Sequence, residues 1–227
     1  MGYLKSIFAK KVPYTGGLNA MTSVLKEFLD VFNDDHVLSD FQDNDDIPQI
    51  LNDLQPSSTT YLIGDNYDRT CCKMKDVEKV TRLIYAAKAK HGHRYVFGNH
   101  EAMGSHPSDN YVVHEFKSGK RVLLTHGDLE SDPVKWMKYR EKEGGAGLVK
   151  LWRTKIFDHL DIVKGNVLYK NLPDGFLERA AAKAKSYDCT YYVCGHFHVE
   201  TERRYKVGDI TVIVLPAHNK NRSKVWF

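Results

Sequence analysis

The stretch Thr59-Thr60-Tyr61-Leu62-Ile63-Gly64-Asp65-Asn66-Tyr67-Asp68-Arg69 decides how this chain is read. Thr59 to Ile63 is β-branched and aromatic, the composition of a strand. Gly64 permits a tight exit from that strand, so that the polar groups behind it can approach a ligand closely. Working outward, a helix is predicted over Asp76 to Lys90, then strands at Tyr95 to Phe97, Tyr111 to Phe116, Arg121 to Thr125 and Thr190 to Cys194. A hairpin joins Thr201 to Tyr205 with Ile210 to Leu215 through Val207-Gly208-Asp209. Upstream, Met21, Val24, Leu25, Phe28, Leu29 and Phe32 recur at helical spacing, which predicts an amphipathic helix followed by a short strand at Val37 to Ser39. Strands alternating with helices and then a run of strands predict an α/β layered sandwich.

Four further segments repeat the pattern of polar residues after an apolar stretch: Asp40-Phe41-Gln42, Gly98-Asn99-His100-Glu101, Thr125-His126-Gly127-Asp128 and Gly195-His196-Phe197-His198. Folds of this class place their sites where strands end. A lone Asp or His at such a place is more often a cap or a satisfied core group. Five segments in order are not a chance arrangement. Their carboxylates, amide oxygen and imidazoles are a mixture of hard and borderline ligands that suits manganese, iron, zinc or similar ions.

Bulk properties narrow the class. At 227 residues, 42% hydrophobic and 27% charged, the chain has the composition of an ordinary globular protein, with one domain over residues 1–227 as the expectation. The net charge of +4 accommodates an anionic substrate without demanding nucleic acid. No apolar run approaches the roughly 20 residues that cross a bilayer, and residues 1–11 lack the pattern of a signal peptide. Cys71, Cys72, Cys189 and Cys194 have neither zinc-knuckle spacing nor a disulfide framework, so a reduced, cytoplasmic setting is expected.

In order and spacing, the five segments resemble the calcineurin-like metallophosphoesterase superfamily, whose pattern is Asp-x-His, Gly-Asp-x-x-Asp, Gly-Asn-His-Asp/Glu, a His before Gly, and Gly-His-x-His. The resemblance runs from about Val37 to Leu215. It implies a four-layer α-β-β-α sandwich, here with a helical extension over residues 1–35 and a helical lid insertion over about 129–186. It also implies two divalent cations, manganese first, with iron, zinc, magnesium or nickel as alternatives. Carried across, Asp40, Gln42, Asp65 and His198 would hold one cation, and Asp65 would bridge to a second held also by Asn99, His126 and His196. His100 would contact the phosphoryl oxygen or protonate the leaving group, and Arg69, Asn99 and Arg140 would contact substrate. The implied reaction is hydrolysis of a phosphodiester or pyrophosphate bond by a metal-bridged hydroxide, since two cations about 3.5–4 Å apart can share and activate one water.

Gln42 departs from the usual histidine, and in having glutamine there the chain resembles one branch of the superfamily, the ADP-ribose/CDP-alcohol diphosphatase type. Asp43, one residue on, is the alternative ligand. Gly64 to Arg69 also looks like the protein serine/threonine phosphatases, which lack the final Gly-His-x-His doublet. The run His126, Gly127, Asp128, Asp132, Trp136, Tyr139 and Arg140 resembles the lid of UDP-2,3-diacylglucosamine hydrolases. Between Pro133 and Lys170 there are nine basic and four acidic residues, interleaved with Trp136, Tyr139, Trp152, Phe157 and Tyr169. Such a lid suits an anionic, phosphate-containing and nucleotide-linked partner, and leaves nucleic acid open. An amphipathic helical pair with a solvated basic face explains it equally. The alternatives to a diesterase or pyrophosphatase are a protein or small-molecule phosphomonoesterase, a nuclease of the same superfamily, and a non-catalytic scaffold.

Overall fold

A computed structural model of the chain describes residues 27–32, 57–67, 69, 77–101, 109–137, 171–216 and 223–227. These form two sheets. The first contains β1 (Phe28–Phe32), β2 (Thr60–Ile63), β3 (Tyr95–Val96) and β9 (Ser223–Trp226), in the order β3-β2-β1-β9. β1, β2 and β3 run parallel and β9 antiparallel. The second contains β4 (Tyr111–Glu115), β5 (Arg121–Thr125), β6 (Tyr191–Val199), β7 (Arg203–Val207) and β8 (Ile210–Pro216), in the order β4-β5-β6-β8-β7. Its inner strands β5, β6 and β8 are parallel, and β4 and β7 are antiparallel edges.

The helices are α1 (Val77–His91), the short α2 (Asp128–Ser131) and α3 (Phe176–Ser186). In α1 the buried residues are Val80, Ile84, Ala87 and His91, one stripe at helical spacing. Glu78 in its first turn and Lys88 and Lys90 in its last complement the helix dipole. No helix among the described residues is long and apolar enough to cross a membrane.

Strand alternation sorts the core into three apolar seams between four layers. Leu62 of β2 packs with Val80, Ile84 and Ala87 of α1, while its neighbours Tyr61 and Ile63 face the second sheet. Across that central seam stand Val122 and Leu124 of β5, Val193 of β6, and Ile213 and Leu215 of β8. The intervening residues Leu123, Tyr192, Cys194, Val212 and Val214 turn outward onto Phe176, Ala180 and Ala184 of α3. The expected α-β-β-α arrangement is therefore present.

Two expectations are corrected. The amphipathic helix predicted through Phe32 gives way, where the chain is described, to strand β1. Its sequence is so densely apolar that period two fits as well as period 3.6. Leu29 and Val31, both fully buried, fill the seam between the sheets, and β2 and β9 supply backbone partners on either side. Tertiary pairing thus overrides the helical pattern. The last polar motif does not follow a finished strand either, because β6 continues through it to Val199. Residues 1–26 and the strand expected at Val37 to Ser39 lie outside the described residues, as does the stretch 138–170.

Leu124→Ala is expected to lower stability by about 2–5 kcal/mol, since it empties space between two sheets. Tyr85→Ala, at a position 58% exposed, is expected to change it by no more than about 0.5 kcal/mol. Equal effects of the two in urea denaturation would contradict the buried central seam.

Candidate metal centre

β2 and β3 end side by side, with Ile63 paired to Val96, and each runs into a turn led by glycine. Gly64 has φ of 97°, and a Cβ on it would lie 2.7 Å from the Gly98 nitrogen and 2.8 Å from the His126 Cβ. Only glycine lets these backbones come so close. Glu101 then ties the two turns together. One oxygen accepts from the Asn66 nitrogen at 3.0 Å and the Tyr95 hydroxyl at 2.7 Å. The other accepts from the Asp65 nitrogen at 2.9 Å and from the Gly98 nitrogen. Glu101 is fully buried. Burial, and then the charge of Asp65, push its carboxyl above the ordinary value, against the pull of these donors.

The clamp holds Asp65 in a left-handed conformation, φ 53°. For a residue with a side chain this costs on the order of 1–3 kcal/mol, and such strain gathers at functional sites. His196 and His198 share it, with φ of 70° and 46°. They lie in a bulge: Cys194 pairs with Val214 and Val199 with Pro216, so four residues of β6, from 195 to 198, face one of β8.

Asp65 Oδ1 accepts from the His100 nitrogen at 2.8 Å, which aims Oδ2 at His126 Nε2, 3.0 Å away. The same Nε2 lies 3.1 Å from Asn99 Oδ1 and 3.2 Å from His196 Nδ1. On its other side His126 Nδ1 faces the carbonyl of Ile63 at 3.2 Å. A carbonyl only accepts, so Nδ1 carries a proton and neutral His126 presents a lone pair at Nε2. Ligand atoms of Asp65, His126 and His196 fall within 4.8 Å of one another, all buried. A proton on Nε2 serves one of the three groups facing it at a time. A divalent cation serves the carboxylate, the amide oxygen and both imidazoles together, and this donor set fits such an ion.

The other expected residues divide into those near the cluster and those outside the described part. His100 Nε2 lies 4.0 Å from Asp65 Oδ2, and the backbone nitrogen of Arg69 donates to the His100 carbonyl at 3.1 Å. His198 is exposed and does not join the cluster of Asp65, His126 and His196. Asp40, Gln42, Asp43 and Arg140 lie outside the described residues. His114 packs where expected of a structural histidine, accepting from or donating to the Tyr61 hydroxyl at 2.7 Å. Cys189 and Cys194 are free and buried, and burial raises the Cys189 thiol to about 11, which keeps it unreactive.

Three features escaped sequence reasoning. Glu101 was read only as the tail of a motif, although Tyr95 six residues earlier hints at its partner. Ser131 had no motif at all. And because β1 ends at Phe32, the segment that directly follows it in sequence is Asn33-Asp34-Asp35-His36, which has Asp-x-His spacing of its own.

The family model described as calcineurin-like phosphoesterase matches residues 29–200, beginning inside β1 rather than at Val37 and ending before Leu215. No protein of curated function matches the chain. Among solved structures, a conserved uncharacterized protein from Streptococcus pneumoniae TIGR4, described as a predicted phosphoesterase, is 14% identical; the match covers 85% of this chain and 73% of that one, with a TM-score of 0.41. Vacuolar protein sorting 29 from Cryptosporidium parvum is 14% identical over 83% of this chain and 73% of that one, TM-score 0.37. A single mutant of the like-named protein from Entamoeba histolytica is 12% identical over 83% and 73%, TM-score 0.38. Overlaps this partial leave function to the family match and to the chemistry of the site.

Glu101→Gln keeps the volume of the clamp but turns an amide NH₂ toward N–H donors. It is expected to lower stability by on the order of 1–3 kcal/mol and to speed hydrogen exchange at the Asp65 and Asn66 amides. Unchanged protection at both amides would show that something else holds Asp65.

Proposed function

Because the chain belongs to the calcineurin-like phosphoesterase family, we propose that it hydrolyses a phosphodiester or pyrophosphate bond with two divalent cations, manganese by preference. The observation that carries this reading is the convergence of Asp65 Oδ2, Asn99 Oδ1 and His196 Nδ1 on His126 Nε2. Asp65, Asn99, His126 and His196 would hold one cation. Asp65 also serves the other, together with His198 and a pair of residues upstream of β2. Motif order supports Asp40 with Gln42 or Asp43 as that pair; the end of β1 at Phe32 is instead an argument for Asp34 with His36. When bound, the cations polarise the phosphoryl group and make water a nucleophile at neutral pH.

The chain's own groups do the rest. Oδ1 of Asp65, held by the His100 amide, fixes the carboxylate so that Oδ2 stays with the cluster. The His100 ring, 7% exposed beside Asp65, donates to a phosphoryl oxygen or gives a proton to the leaving group. Arg69, whose backbone is tied to that of His100, offers a guanidinium fork that matches phosphate geometry. Arg140 and the basic stretch that follows α2 receive an anionic, nucleotide-linked substrate.

The test is manganese-dependent hydrolysis of a phosphomonoester, a phosphodiester, a nucleotide pyrophosphate and single-stranded DNA, with metal content measured alongside. Activity on the diester or pyrophosphate, abolished by chelator, is expected; a protein that binds no metal and cleaves none of the four would sink the reading. His100→Ala is expected to keep its metal and lose about 10²-fold or more in turnover, and unchanged turnover would remove that residue's role. Asp65→Asn is expected to lose both cations. Comparing Asp34→Ala/His36→Ala with Asp40→Ala/Gln42→Ala assigns the second pair, because only the true ligands lower the metal content to one ion per chain.

A further inference from the structure

The hydroxyl of Ser131 has three polar neighbours. Its single hydrogen goes to the Asp128 carbonyl, 2.7 Å away, which can only accept. The Trp136 indole nitrogen, 3.2 Å away, can only donate to it. The third neighbour is His196 Nε2, also at 3.2 Å. With that hydrogen on the Asp128 carbonyl, Ser131 Oγ faces the imidazole with a lone pair and accepts from Nε2–H; turned to the imidazole instead, it would donate to a bare Nε2 and leave Nδ1–H to donate to His126 Nε2, 3.2 Å away.

We infer that Ser131, backed by Trp136, is a positioning residue that holds His196 as the Nε2–H tautomer and thereby turns the lone pair of Nδ1 toward the cation. This rests on the reading of His196 as a metal ligand. Ser131, Trp136 and His196 are 8%, 6% and 6% exposed, so water offers little alternative partner. A cation at Nδ1 excludes that second arrangement, because it takes the lone pair of Nδ1 and leaves the proton on Nε2, where Ser131 is the buried acceptor; a buried hydrogen bond left unmade costs about 1–3 kcal/mol.

The serine itself is held from both sides. Its backbone nitrogen donates to the Gly127 carbonyl at 3.1 Å, and Arg179 of α3 donates to the carbonyls of Glu130 at 2.7 Å and Ser131 at 3.1 Å. The Glu130 carboxylate accepts from the hydroxyls of Tyr111 and Tyr192 at 2.7 and 2.6 Å. The two histidines are therefore set in different ways. His126 stands just before α2 with its tautomer set by a main-chain carbonyl of β2. His196 is set by a side chain within α2, which makes that half of the site open to mutation. Trp136 lies in the helical turn over residues 133–137, its ring edge-on to His196 with centroids 5.7 Å apart, so the start of the expected lid is wired to the same ligand.

The test begins with zinc-loaded, ¹⁵N-histidine-labelled protein, zinc being a diamagnetic stand-in for manganese. Long-range ¹H–¹⁵N correlations of the His196 ring are expected to show Nε2 protonated and Nδ1 without a proton. Ser131→Ala is expected to give mixed tautomers and to weaken manganese binding by about 10- to 100-fold in a calorimetric titration, with Ser131→Thr restoring both. An Nδ1–H tautomer in the unmutated protein, or Ser131→Ala with unaltered tautomer and affinity, would overturn the inference. Should Ser131→Ala fail to fold, the spectrum of the unmutated protein still decides. A protein that takes up neither zinc nor manganese would refute the metal reading itself, whereas one that binds them with His196 as Nδ1–H would refute only the serine's role.

Discussion

A carboxylate buried among backbone amides anchors everything around it. Glu101 accepts from the nitrogens of Asp65, Asn66 and Gly98 and from the Tyr95 hydroxyl, with no cation beside it among the described residues. Desolvating a carboxylate is expensive, and it is tolerated only when its oxygens are fully met by donors. Those donors come from the turns after two neighbouring strands, so satisfying Glu101 fixes both turns at once. The left-handed backbone of Asp65, and through it the direction of Oδ2, follows from that one requirement.

The site is then assembled by strand ends rather than by loops with freedom of their own. β2 supplies Asp65 and the carbonyl that orients His126; β3 leads to Asn99, His100 and Glu101; β5 leads to His126; and β6 carries His196 in its bulge. Each strand is fixed by apolar side chains that alternate between the central seam and the outer ones. Core packing thus sets where the polar atoms meet, and a donor set held this way is organised before any ligand arrives.

Much of this was legible in residues alone. The strands beginning near Thr60, Tyr95, Tyr111, Arg121, Tyr191, Arg203 and Ile210, and the helix from Val77, stand close to where composition and periodicity put them. Glycine before Asp65, Asn99 and His196 marked three of the polar segments. What could not be read has a common cause: it depends on partners distant in sequence. Phe28 to Phe32 looks helical until β2 and β9 flank it. β9 itself is four residues long and gains its identity only by pairing with β1. Ser131 has no periodic or motif signal, because its role exists only once His196, 65 residues away, is folded against it. The bulge at 195–198 is invisible in a sequence that reads as a strand followed by a turn.

That bulge separates two jobs that a strand normally performs together. The ladder to β8 is secured by Cys194 on one side and Val199 on the other, and neither of these residues faces the metal centre through its backbone pairing. The four residues between them contribute side chains without contributing rungs. The side chains at 196 and 198 are therefore free to drift, from imidazole to carboxylate or amide, while the hydrogen-bonded frame and its hydrophobic seams stay as they are. A scaffold with such an uncoupled segment can change the groups it presents there without first having to relearn how to fold.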